Sequence, residues 1–429
     1  MAKPLPQVRQ ARLTIRTLGG RGDGIAELDG RPVYVPFTLP SEVVEAEIVQ
    51  ARGEGVSAVA RSLVQASPQR VQAPCPHFGV CGGCSVQHLE HRAYLDWKRE
   101  LVAQALQRRG LVDIPIAEIV TTPPGRRRRA VLTAMRTRKQ AILGFHERAS
   151  HRLVDLAACP VLLPALEALI APLRGLLTRI LAGGQAAQVT LNDTDSGIDC
   201  QIAAEHAPDL AAREAMADFA ERHDLARLAW RHKRQAEPIA QRRLPVLRLG
   251  EAAVGVPSGG FLQASREGED AMRQAVGDWI GGASSVIDLF GGIGTLSLGL
   301  APARRVHVVE GDADAVAAVG QAARQPALRG RVGVEQRDLA GDPVPAEALR
   351  AYEAAILDPP RAGAMAQTRQ LAASGIETIV AVSCDPGTFA RDARLLVDAC
   401  YRLEQVVPID QFLWSSHVEL VARFRRNQL

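Results

Sequence analysis

Aromatic side chains are scarce, at 4% of 429 residues, so base stacking on rings cannot be the main way this chain grips a ligand. It has no run of 18 or more apolar residues, which excludes a membrane-spanning helix. The opening MAKPLPQVRQAR lacks the apolar core of an export signal. Seven cysteines in a chain of this length do not make a disulfide scaffold, and without an export signal the expected compartment is the reducing cytoplasm. A hydrophobic content of 47% and a charged content of 23% are ordinary globular values and exclude disorder or fibre. The length predicts two or three domains.

The formal net charge of +4 hides an uneven distribution. Between Thr121 and Arg152 nine basic residues stand against one acid, Glu147. From Gly250 onward 17 arginines are outnumbered by 22 acids. A basic middle beside an acidic C-terminal half suggests a polyanion binder joined to a catalytic unit. The alternative is a solvated charged face, which the run of four arginines at Arg126–Arg129 makes less attractive.

Residues 12–64 read as a small β-rich unit, with strand-like runs at Leu13–Leu18, Pro32–Phe37 and Glu42–Gln50 and a hairpin signal at Asp29-Gly30. Small barrels of the OB type bind oligonucleotides, although many small barrels bind nothing. Cys75, Cys81 and Cys84 follow in a glycine-rich loop, and Cys159 precedes Pro160. Four thiolates can hold an iron–sulfur cluster or close a tetrahedral zinc site. The tight loop plus a distant Cys-Pro leans towards [4Fe–4S], with zinc as the rival. Helical spacing covers His91–Arg109, Val161–Leu181 (with breaks at Pro164 and Pro172) and Ala211–Arg222. Strand alternation covers Arg129–Phe145 and Ala187–Ala203, with Cys200 on a core face. The middle is therefore α+β and basic.

The C-terminal half alternates strand and helix. Ser285–Phe290 leads into the turn Gly291-Gly292-Ile293-Gly294-Thr295, with a helix expected after it. Later strands end at Glu310, near Asp338, at Asp358 and at Cys384, and Tyr401–Pro408 with His417–Phe424 predicts an antiparallel pair. Asp288, Glu310, Asp338, Asp358 and Cys384 thus reach one sheet edge, where open α/β sheets bind ligands. Cys384 precedes a helix, whose N-terminus lowers a thiol's pKa. The bland reading of Cys384 is a buried structural thiol.

The C-terminal half resembles S-adenosylmethionine-dependent methyltransferases of the Rossmann-like class, and more narrowly the RNA uracil-5-methyltransferases. DLFGGIGT at Asp288–Thr295, LDPPRAG at Leu357–Gly363, SCDP at Ser383–Pro386 and HVE at His417–Glu419 carry the likeness. Residues 12–64 look like a TRAM domain, and Cys75, Cys81, Cys84 and Cys159 match that family's [4Fe–4S] ligands. The combination covers nearly the whole chain and is most like the bacterial branch that methylates 23S ribosomal RNA.

The resemblance implies three domains: a TRAM OB-like barrel at 1–66, a basic iron–sulfur and RNA-binding α+β domain at 67–90 and 125–255, and a class I methyltransferase domain at 91–124 and 256–429. It implies Cys384 as nucleophile and Glu419 as base; without the family, Glu419 reads as a surface strand glutamate. It also implies Gln263, Phe290, Thr295, Glu310, Asp338 and Asp358 as residues that hold the methyl donor or lie beside it. The expected state is a cytoplasmic monomer acting on RNA away from membranes. The sequence departs from the family pattern at Thr295 and Ser265, where Asn is frequent, and at SCDP in place of SCNP. Two rivals remain: an amino-methyltransferase on a purine, suggested by Asp358-Pro359-Pro360, and a non-catalytic RNA-binding iron–sulfur protein.

Overall fold

The computed structural model describes residues 9–233 and 235–427. Most of the N-terminal stretch read above as lacking an export signal lies outside the described residues. Among the described residues no helix is long and apolar enough to cross a membrane. The chain divides into two compact units. Unit 1 comprises residues 1–101, 145–154 and 412–416, and unit 2 the remainder.

Unit 1 is built on a six-stranded sheet in the order Arg9–Thr14, Val43–Arg52, Gly55–Gln65, Arg31–Pro36, Asp23–Leu28, Thr17–Leu18. Its strands alternate because one face is buried: Val33 and Val35, then Val44, Ala46 and Ile48, point into a common apolar core with Leu13 and Ile15. Asp29 and Gly30 close the hairpin between Leu28 and Arg31 with φ of 53° and 71°. Two successive positive φ angles match the twist of the flanking strands, which is why the Asp-Gly pair stands there. The unit also holds the cysteine loop and the segment Phe412–Ser416. The Trp414 carbonyl accepts from the amides of Ser85 and Val86, and Lys98 donates to the Phe412 carbonyl at 3.0 Å.

Unit 2 contains most of a seven-stranded sheet and all of an eight-stranded one. The first includes the antiparallel strands Arg129–Arg136, Ala186–Thr194 and Gly197–Ala204, with Arg227–His232 parallel to the last. The helices Ile170–Ile180 and Leu210–Arg222 accompany it. Cys200 is fully buried in this sheet, as its spacing predicts. Pro172 does not break the helix as expected: it lies in the first turn of Ile170–Ile180, where a missing N–H breaks no intrahelical bond.

The eight-stranded sheet carries β1 (Ser285–Leu289), β2 (Arg305–Glu310), β3 (Val332–Gln336), β4 (Ala354–Leu357), β5 (Thr378–Ser383), β6 (Tyr401–Asp410) and β7 (Glu419–Arg426). Their order is β3-β2-β1-β4-β5-β7-β6, with Val120–Thr121 beyond β6. Strands β1 to β5 are parallel and β7 is antiparallel to both neighbours. β1, β4 and β5 are buried at every position, which explains their unbroken apolar runs. Helices α1 (Arg266–Trp279), α2 (Ala313–Ala322), α3 (Met365–Ser374) and α4 (Pro386–Asp398) accompany the strands. α1 begins where it does because Ser265 caps it by accepting from the Gly268 amide. The helix expected after the glycine turn is instead a run of turns ending in one 3₁₀ turn, Leu298–Leu300.

Candidate active site

The register of β5 on β7 sets the centre of the site. Val382 faces Val421 and Ser383 faces Leu420, and just past this register Cys384 and Glu419 come close enough for the Glu419 charge to act on the thiol. β4 flanks β5 on the other side, with Leu357 beside Ala381, and this brings Asp358 to the same strand ends. β1 and β2 add Asp288, which is fully buried, and Glu310.

These groups act on one another. Burial pushes Glu419 up to about 7. Burial, then the charges of Glu419 and Glu310, push Asp358 up to about 8. Burial pushes Asp288 up to about 7; the Ser297 hydroxyl opposes this rise, and Asp358 and Glu310 add to it. Such a group of carboxyls favours a cationic guest, since a positive charge nearby would let them ionise.

The donor residues expected from the sequence lie on this edge. Phe290 turns the chain out of β1 at φ 59°, and Thr295 sits half-buried in the glycine turn. Gly291 has no room for a side chain: a Cβ there would lie 2.7 Å from Val308 and 2.9 Å from the Asp288 carboxyl. Glu310 closes the turn by accepting from the amides of Gly292 at 3.0 Å, Gly311 at 2.7 Å and Asp312 at 2.8 Å. Asp338 stands at the exposed rim and accepts from the Ala340 amide. Gln263 is buried just ahead of α1. A glycine-lined cradle beside carboxyls fits a nucleoside carrying a sulfonium.

The structure adds one residue that the sequence reading missed. Gln411, buried just past β6, donates to Glu419 Oε2 at 2.8 Å and to Gln263 Oε1 at 2.9 Å. Its own Oε1 accepts from the Ala264 amide at 3.0 Å. The only sequence signal was a polar pair, Asp410-Gln411, ending an apolar strand.

One expectation is corrected. The Cys384 thiol is not lowered by its helix: burial, then Glu419, Asp358 and Asp385, hold it up to about 11. The positive end of α4 is already occupied by the Asp385 carboxylate, which accepts from the amides of Gly387 at 2.9 Å and Thr388 at 3.1 Å. The four arginines differ in their surroundings. Arg128 is fully buried and paired with Glu269, and Arg126 reaches Glu267 at 3.3 Å. Arg129 is half-buried beneath the exposed Phe261 ring, 5.4 Å from its centre.

The cysteines expected to hold a cluster differ in burial, with Cys159 the most buried of the four. Cys75, Cys81 and Cys84 are half-buried in unit 1, where the Gly83 amide donates to Cys81 Sγ at 3.4 Å. Burial raises the Cys81 thiol, and Cys75 adds to the rise. Cys159 belongs to unit 2, where its amide donates to Glu167 at 2.7 Å. Among the described residues, no three His, Cys, Asp or Glu side chains are arranged to hold a metal ion.

Comparison with known proteins agrees with the strand-end chemistry. The tRNA (uracil-5-)-methyltransferase family profile matches residues 348–426, which span β4 to β7. An RNA methyltransferase of Rhizobium meliloti is 40% identical over 96% of this chain and 99% of its own length. The 23S rRNA (uracil(1939)-C(5))-methyltransferase RlmD of Halomonas elongata is 36% identical over 95% of this chain and 88% of its own. In fold, the chain is similar to the Pyrococcus abyssi tRNA (uracil-54, C5)-methyltransferase solved with S-adenosyl-L-homocysteine. The TM-score is 0.75 at 23% identity, covering 96% of this chain and all of that one. With relatives of this similarity matched along nearly its whole length, the chain belongs to the RNA (uracil-5-)methyltransferase family.

Proposed function

We propose that this protein methylates carbon 5 of a uridine in 23S ribosomal RNA, with S-adenosylmethionine as methyl donor. The observation that carries the reading is the meeting of Cys384 and Glu419 at the strand ends, where the Glu419 charge acts on the Cys384 thiol. Carbon 5 of uracil is too weak a nucleophile at neutral pH. Addition of the Cys384 thiolate to carbon 6 forms a C–S bond and pushes an electron pair towards carbon 5, as an enolate. Carbon 5 then takes the methyl group from the sulfonium, leaving a neutral thioether. The Glu419 carboxylate removes the proton from carbon 5. The freed electron pair restores the ring double bond and expels the thiolate. A carboxyl held up to about 7 is suited to accepting a proton near neutrality.

Gln263, Phe290, Thr295, Glu310, Asp338 and Asp358 would hold the donor or lie beside it, its cationic sulfur lying among the carboxyls. The uridine must leave the RNA fold to reach them. The TRAM reading of the six-stranded unit, the three-domain division, a monomeric state and a cytoplasmic location belong to the same proposal. So does a [4Fe–4S] cluster on Cys75, Cys81, Cys84 and Cys159, which rests on their sequence pattern and has no step in the reaction. Anaerobically purified protein should contain iron and sulfide; zinc without iron would sink the cluster.

The activity is tested by comparing ribosomal RNA from a deletion strain with wild type and identifying the altered base by mass spectrometry. Loss of 5-methyluridine is expected, and loss of a methylated purine would favour the amino-methyltransferase instead. In the purified protein, Cys384→Ala should abolish methylation and keep donor binding. Glu419→Gln should accumulate a methylated covalent protein–RNA adduct.

A further inference from the structure

The hydrogen bonds of Gln411 have a single consistent orientation. The Ala264 amide can only donate, so the end of Gln411 that it meets is the carbonyl oxygen. The opposite end is therefore the NH₂ group, and its two hydrogens go to Gln263 Oε1 and Glu419 Oε2. Reversing the amide would break all three bonds. The residue is also held from below: a Cβ placed at Gly268, in the first turn of α1, would come within 3.0 Å of Gln411 Cβ. Gln263 is fixed in turn, because Arg128 Nε donates to its carbonyl at 3.1 Å and the Arg128 amide donates to the Ala264 carbonyl at 2.9 Å.

We infer that Gln411 is a positioning residue that keeps Glu419 ionised and aimed at the reacting carbon. The inference rests on Glu419 being the base of the proposed reaction. The other titratable groups that meet Glu419 come from the turns after β4 and β5, Asp358 and Cys384, and a negative charge on either opposes its ionisation. The nearest cation traced through this network, Arg128, lies behind Gln263 and is paired with Glu269. Gln411 thus supplies the hydrogen bond that favours the carboxylate. Because Gln263 spends its oxygen on Gln411, its NH₂ group is directed elsewhere, free to meet an acceptor on donor or base.

Gln411→Met keeps the length of the side chain and removes the donor. Its pH–rate profile for RNA methylation should move up by about one pH unit, the size of one net hydrogen bond. At pH 7 the methylated covalent adduct should build up, and raising the pH to 9 should release it, with KM for donor and RNA unchanged. Gln411→Glu should stall in the same direction and guards against a folding defect in the first variant. A packing role alone would reduce activity equally at every pH. An unshifted profile in both variants, while Glu419→Gln still stalls, overturns the inference and leaves the base assignment standing. Normal turnover by Glu419→Gln overturns the assignment itself.

Discussion

Arg128 separates two uses of the arginine run. Its guanidinium is fully buried, pairs with the buried Glu269 and donates to the Gln263 carbonyl at 3.1 Å. Replacing it with Met removes the charge and leaves the Glu269 carboxyl in a dry site. Breaking one side of a buried pair costs about 3–5 kcal/mol, and the lost bond to Gln263 adds about 1 kcal/mol. Glu269 is already raised above the ordinary carboxylate range, chiefly by burial, and Arg128 opposes that rise; without Arg128 it should take up a proton. The double variant Arg128→Met/Glu269→Gln removes both charges and should recover most of the loss. Calorimetric unfolding of the two variants measures this, and RNA binding at several salt concentrations provides the contrast. A phosphate-gripping arginine would lower the salt slope by about one and leave stability alone. Wild-type stability in Arg128→Met together with a reduced salt slope would refute the structural assignment.

Stability should also depend on pH through the site itself. Asp288, Asp358 and Glu419 are held at about 7, 8 and 7, above unfolded carboxyls, so the native state binds their protons more tightly. That stabilisation is complete below about pH 4 and is fully lost once pH has risen through about 7 to 8; the donor-free thermal midpoint should fall between about pH 4 and 8 and then level off, and Asp358→Asn should flatten the decline. Gly291→Ala should weaken donor binding at least tenfold by calorimetry, since its Cβ would press on Val308 and the Asp288 carboxyl.

The strand ends were legible because each apolar run stops at a polar residue, and a parallel sheet gathers such stops on one edge. The hairpin at Asp29-Gly30 was legible for a local reason, its demand for positive φ. What could not be read were pairings between distant positions. Glu269 lies 141 residues from Arg128, and Gln263 lies 148 from Gln411. A lone Gln after a strand carries no periodic signal, and two arginines in one run look alike until burial distinguishes them. The turn after β1 misled for another reason. Gly294 takes φ 76°, and a Cβ there would meet the Leu298 side chain at 2.5 Å, so the chain coils tightly where a regular helix was expected.

Cys384 shows how a correct position can carry the wrong expectation about chemistry. It sits at the mouth of α4, yet Asp385 takes the free amides there, and burial with Glu419 and Asp358 holds the thiol up to about 11. At pH 8 the thiolate fraction would be about 0.001, against roughly a quarter for an ordinary thiol of pKa 8.5. The more basic thiolate is the better nucleophile, by about tenfold over this gap at a Brønsted slope near 0.45. Alkylation of Cys384 by iodoacetamide in the donor-free protein should therefore run about twentyfold slower than that of a free thiol. It should keep rising tenfold per pH unit to at least pH 9.5. Peptide mass spectrometry separates it from the exposed Cys400. Replacing Asp385 with Asn removes one of the opposing charges and should raise the rate at pH 8. A rate that levels off below pH 8 would mean that the helix end prevails after all, and that the thiolate stands ready before the donor arrives.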